Sequence, residues 1–252
     1  AEEMHGRFLV AHTTAMALGW IGLTVTGTLV TLWPTMLRTK MDDRAERLAQ
    51  QALPIMGLAV ATVITAATLG SRPAVVAGLV AYLSGLAWWG RALLRPARAR
   101  SPREMATLSV LAALTWGLVA LCWIVATVAL RDGWPGVAAT YGVPAAMLAA
   151  GFGAQLLVGA LSYLIPSVIG GGPAAVRAAG RWVDRWAIVR LTVANGAMVL
   201  SLLPVPSIVR VITTGIVLVS LLSFIPLLAL AIRDSVRDRK STRLNSSHRA
   251  LS

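Results

Sequence analysis

The sequence predicts an all-α fold: a polytopic transmembrane bundle of about seven spans, N-terminus outside and C-terminus inside. Three observations predict it. With 57% hydrophobic and 13% charged residues over 252 positions, and a mean hydropathy of +0.73, the chain is too apolar for an ordinary soluble globule. Seven stretches are long and almost free of charge, and a charge at the bilayer centre costs roughly 2.5–3.5 kcal/mol on insertion scales. Nineteen of the twenty-three Lys and Arg residues fall between those stretches on one alternating side.

The spans follow in order as Phe8–Trp33, Leu53–Leu69, Ala74–Ala92, Met105–Leu130, Ala138–Val168, Ala187–Leu203 and Ile208–Ile232. Each approaches the ~17–25 residues a membrane helix needs, the second and sixth being the shortest. Pro and Gly punctuate the connections at Trp33-Pro34, Ser71-Arg72-Pro73, Arg95-Pro96 to Ser101-Pro102, Asp132 to Gly136, Gly170 to Pro173 and Leu203 to Pro206. Trp33, Trp88, Trp89, Trp134, Trp182 and Trp186 lie near span ends, as in an aromatic belt. No repeat is evident along the chain, so an inverted-repeat transporter gains no support.

Charge sets the orientation. One side carries Arg38, Lys40, Arg44 and Arg47, then Arg91, Arg95, Arg98, Arg100 and Arg103. It also carries Arg177, Arg181, Arg185 and Arg190, then Arg233, Arg237, Arg239, Lys240, Arg243 and Arg249. The other side has only Arg7, Arg72, Arg131 and Arg210, and short basic loops stay cytoplasmic. The net charge of +13 is thereby assigned to topology and to anionic lipid headgroups, and the partner is a lipid bilayer rather than nucleic acid. Arg greatly outnumbers Lys and Ala, Val and Gly are abundant, as in GC-rich bacterial genes, which places the chain in a bacterial inner membrane as a multi-pass protein. The single Cys122 excludes a disulfide framework.

Residues 1–238 are read as the transmembrane domain, a fragment of a longer protein. The stretch DRKSTRLNSSH from Asp238 to His248 resembles translated sequencing-adaptor read-through, so 239–252 is set aside as a non-native tail, a native disordered basic tail being the alternative.

Few residues offer chemistry. His5 and His12 are seven apart, two turns along one helical face, and are the candidate metal ligands. Met16, four residues beyond His12, adds a thioether, so His12 and Met16 are the candidate cofactor contacts. Hydrogen bonding of His12 to a neighbouring helix is the competing reading. Gly151, Gln155, Gly159 and Tyr163 recur every four residues, which suits close helix packing with Gln155 bonding across the contact. Gln155 and Asn195 are therefore candidates for polar packing or for a solute pathway. The Thr24, Thr28 and Thr31 row can return its hydroxyls to its own backbone. No span holds a carboxylate, which counts against proton-driven transport, and no phosphate loop, zinc motif or nucleophile elbow is present.

Two stretches, HTTAMALGWIGLTVTGTLVTLWPTMLRTKM from His12 to Met41 and FGAQLLVGALSYLIPSVIGGGPAAVR from Phe152 to Arg177, resemble the membrane region of bacterial multicopper-oxidase-type proteins. That family joins a polytopic membrane segment to a cupredoxin domain and includes copper oxidases and copper nitrite-reductase-like proteins. Its pattern opens His-x-His-x-Asn before the Gly-Trp pair, whereas this chain has His12, Thr14 and Met16 there. The resemblance implies a membrane domain of a copper-oxidase-like redox protein, anchoring it, meeting a redox partner and binding a cofactor or metal near His12. Copper is then expected only in a domain absent from this chain, with haem at His12 as the other cofactor reading. It also implies a further hydrophobic helix after about Asp234, because a copper domain outside must be reached by another crossing. The alternatives are a small-solute transporter or channel and a haem-binding nitric-oxide-response membrane protein.

Overall fold

The computed structural model describes residues 2–169 and 172–234, and every regular element among them is a helix. We label these α1 (Glu2–Leu37), α2 (Ala45–Leu69), α3 (Arg72–Ala99), α4 (Met105–Leu130), α5 (Gly133–Thr140), α6 (Gly142–Val168), α7 (Gly172–Val183), α8 (Ala187–Leu202) and α9 (Ser207–Asp234, with a one-residue break at Ser223). Six of them, α1–α4, α6 and α9, are long and apolar enough to cross a membrane. The segment expected as the sixth span is the 16-residue α8, about 24 Å long at 1.5 Å per residue, against a hydrocarbon core of about 30 Å. The tail set aside at 239–252 lies outside the described residues.

Local chemistry fixes the ends. Arg38 enters the left-handed region (φ 54°), so Thr39 N–H reaches Pro34 O at 2.9 Å and closes the carbonyl end of α1. Gly70 does the same for α2 with φ 83°, Ser71 N–H reaching Ala66 O at 2.8 Å, and Pro73 then opens α3 where its missing N–H costs nothing. The loop expected around Arg91, Arg95 and Arg98 is instead the final part of α3, which runs through Pro96 to Ala99. Arg91 stacks over Trp88 at 4.6 Å. Trp33, Trp89 and Trp134 are buried rather than placed in a belt, whereas Trp88 and Trp186 are exposed.

Two compact units divide the chain. The first comprises Ala1–Pro102 and Leu114–Phe152. In it, α2 and α3 pack closely where Gly78 meets Val63 and Gly85 meets Met56. Tyr82 donates its hydroxyl to Leu18 O at 3.0 Å and Trp33 its indole N–H to Leu93 O at 3.1 Å. Arg72 donates to the carbonyls of Val128 (2.7 Å) and Arg131, satisfying acceptors that the end of α4 leaves free. Trp134 Nε1 reaches Gly70 O at 3.1 Å. The second unit comprises Arg103–Ala113 and Gly153–Ser252. Its apolar cluster includes Met105, Val158, Val183, Leu191 and Phe224, and Gly159 admits α4 at Ala106 and Val110.

The chain also contains a repeat, which corrects the expectation that it has none. Gly19, Trp20, Gly27, Leu29 and Pro34 return 132 positions later as Gly151, Phe152, Gly159, Leu161 and Pro166. The geometry returns with them. A π-helical stretch at Thr14–Gly22 is followed by α-helix Leu23–Leu37, and one at Met147–Ala154 by α-helix Gln155–Ile169. In the next helix, Leu48, Ala52, Met56, Val60, Val63, Ala66 and Ala67 match Ala179, Val183, Ala187, Leu191, Ala194, Ala197 and Met198 at a spacing of 131, and all fourteen are buried. Thus α7 and α8 together correspond to α2. The second copy breaks that helix at Asp184–Trp186, where Trp186 is left-handed (φ 61°).

Candidate functional site

The histidine and methionine candidates sit on one helix. His5 and His12 are both exposed on α1, while Gly6 and Val10 carry its packed face. Met16 lies in the π-helical stretch and is 40% exposed. Among the described residues no group of three or more His, Cys, Asp or Glu forms that could hold a metal ion. The hydroxyl row behaves as local chemistry allows: Thr28 Oγ1 donates to Thr24 O (2.9 Å) and Thr31 Oγ1 to Thr28 O (3.1 Å).

The inner candidates are brought together. Gln155, only 1% exposed, donates from Nε2 to Asn195 Oδ1 at 2.9 Å, and Asn195 Nδ2 returns a bond to Gln155 Oε1 at 3.2 Å. Asn195 Nδ2 also donates to Leu191 O at 2.7 Å, one turn back along α8. Two neutral amides thus satisfy each other across α6 and α8, as a polar group in an apolar interior requires. Ser109 and Ser162 lie in the same unit with buried hydroxyls that have no hydrogen-bond partner. The repeat clarifies this pair. At the positions of Gln155, Ser162 and Asn195 the first copy has Leu23, Val30 and Ile64. The same helix pair therefore packs without any of this polarity.

Three contacts escaped the sequence reading. Arg190, expected in a basic loop, lies within α8, half-buried, and donates to Ser223 Oγ (2.8 Å) and Val183 O (3.1 Å). Asp184 accepts the Met105 backbone N–H at 2.7 Å, and Trp182 Nε1 donates to Asp234 Oδ2 at 2.6 Å. Only the tendency of acids to sit near helix starts hinted at the second contact. Asp42, outside the spans as expected, is nonetheless buried at 3% exposure. Its carboxylate accepts Arg44 N–H at 2.9 Å, and that bond holds the carboxyl below the ordinary Asp range, aided by the Arg44 and Arg95 charges.

No family model matches the chain, and no curated protein or solved structure is significantly similar to it.

Proposed function

We propose that this chain is the membrane-embedded domain of a copper-oxidase-like redox protein, crossing a bacterial inner membrane seven times with its N-terminus outside. The observation that carries the membrane part is the set of six long apolar helices. The seventh crossing is α8. It corresponds to the later part of α2, and it packs against α9 after a turn of four residues, so it shares the depth of a helix that spans. The repeat also favours this count. Three crossings, α2, α3 and α4, lie between α1 and α6, which gives both copies the same direction, and the basic stretches then alternate correctly. Reporter fusions test it: a fusion at Asp234 is expected to be cytoplasmic and one at Pro204 external. An external reporter at Asp234 overturns both the orientation and the count.

The redox part rests on the two stretches resembling multicopper-oxidase-type membrane regions. They contain the two copies of one helix, so the resemblance falls on the duplicated element. Anchoring is the role the residues support best, with His12 available to a partner on an exposed face. The full-length gene tests it: a cupredoxin-like coding region on the same chain is expected, and its absence removes the copper reading. A haem reading predicts a Soret band lost in His12→Ala, and a colourless protein counts against it. The Gln155–Asn195 pair favours a second reading, passage of a small neutral solute. That reading predicts uptake by reconstituted protein which Gln155→Leu abolishes.

A further inference from the structure

The one long basic surface that the first copy lacks is α7. Arg177 and Arg181 are four residues apart and exposed, while Ala179 and Val183 on the opposite face are buried in the apolar cluster of the second unit. Arg185 follows, exposed, with its guanidinium over the Trp182 ring at 5.7 Å. None of these three arginines makes an ion pair among the described residues. Asp184, the one acid among them, is engaged by Met105 N–H. Trp182 is tied to Asp234, which fixes α7 beside the end of α9.

The two copies set their basic residues at different places. The repeat puts Glu46, Gln50 and Pro54 of the first copy at the places of Arg177, Arg181 and Arg185. The first copy keeps its helix straight there, whereas the second breaks it at Trp186. The break separates α7 from α8, and α7 combines one apolar face and one basic face, with Trp182 in its last turn and Trp186 just beyond its end. That is how a helix lying at a membrane surface is built.

We infer that α7 lies in the headgroup layer and that Arg177, Arg181 and Arg185 bind the phosphate of an anionic phospholipid. The lipid is favoured over a free anion because exposed apolar side chains, Trp186, Ile188 and Val189, follow Arg185 directly along the chain and give acyl chains a surface to meet. Guanidinium groups suit a phosphate, donating several hydrogen bonds in a planar fork. This inference rests on the membrane reading.

The test is native mass spectrometry of the whole chain released from detergent with added phosphatidylglycerol or phosphatidylcholine. Phosphatidylglycerol is expected to be retained preferentially. Each basic group near an anionic surface is worth about a fivefold gain, so Arg177→Gln/Arg181→Gln should lower its retention by roughly tenfold or more. Arg177→Lys/Arg181→Lys should keep most of it. Arg44→Gln/Arg47→Gln, in the first copy, should lower it less, since Arg44 is already paired with Asp42. Circular dichroism of each variant reports folding separately. Equal retention of both lipids, or no loss in the folded Gln variant, overturns the inference. Displacement of phosphatidylglycerol by excess inorganic phosphate overturns the lipid assignment in favour of a free-anion site. A chain that stays soluble and monodisperse without detergent fails the membrane reading instead, which keeps the two failures distinct.

Discussion

The two copies of the repeat solve one packing problem in two ways. In the first, α1, α2 and α3 join through apolar contacts and a few anchors from aromatic side chains to backbone carbonyls, Tyr82 to Leu18 and Trp33 to Leu93. In the second, the equivalent helices carry an amide pair in the core, and the helix corresponding to α2 is cut into a basic piece and a short apolar piece. The same buried register serves both, which shows that the register is the fold's requirement. The polar groups are additions to it, and additions are where function is to be sought.

Equivalent glycines give the sharpest way to break this comparison. Gly159 is pressed against α4, where a Cβ would meet Val110 Cγ2 at 2.9 Å and Ala106 O at 3.0 Å, while Gly27 has nothing within 4 Å. Gly159→Leu should therefore cost about 1–3 kcal/mol or more by overpacking, whereas Gly27→Leu should stay within about 0.5 kcal/mol. Thermal unfolding in detergent distinguishes them, and equal costs would undo the assigned difference between the copies.

The amide pair comes next. Asn195→Ile puts the first copy's residue opposite a buried Gln155 and should cost about 1–2 kcal/mol, because Gln155 loses its partner. Adding Gln155→Leu should restore most of that stability, since both groups then match Leu23 and Ile64. A double variant as unstable as the single one would make the pair a structural necessity. In the first copy, Tyr82→Phe should cost about 1 kcal/mol by deleting the bond to Leu18 O.

The smallest effect is expected at Asp42, ahead of α2. Asp42→Ala should cost about 0.5–1 kcal/mol and Asp42→Asn less, since Asn keeps an acceptor for Arg44 N–H. Because the folded carboxyl is held below its ordinary value near 4, its contribution is present above that value. It is lost as pH falls through the lower folded pKa. Acid titration of stability should show this step in the parent chain and not in Asp42→Asn.

Much of this was legible in the sequence because the membrane simplifies it: uncharged runs and basic connections marked the helices before any contact was known. The end of α3 was misread because Pro96 was taken as a terminator, although the helix continues through it on the last turns that carry Arg91, Arg95 and Arg98. The short α8 was legible as Ala187–Leu203, whereas Arg190 was counted with the basic connection although its side chain reaches Ser223 from inside that helix. The Gln155–Asn195 contact was half visible, each residue standing out alone as a polar group in an apolar run. Their meeting depends on packing between helices forty residues apart. The repeat was hidden because it survives in five small or bulky landmarks, with register and burial carrying the rest.

The π-helical stretches act as phase shifters. Within one, each turn takes more residues than the α-helical 3.6, so the two ends of α1 are rotated relative to each other by an amount no straight helix would produce. Both copies hold the shift at the same place, directly before the α-helical part of the element. Removing one residue from 14–22 would turn the N-terminal end by roughly 100°, carrying the exposed His5 and His12 edge toward the packed side and Val10 out of it. The histidines owe their outward setting less to their own positions than to an offset wound into the helix beneath them.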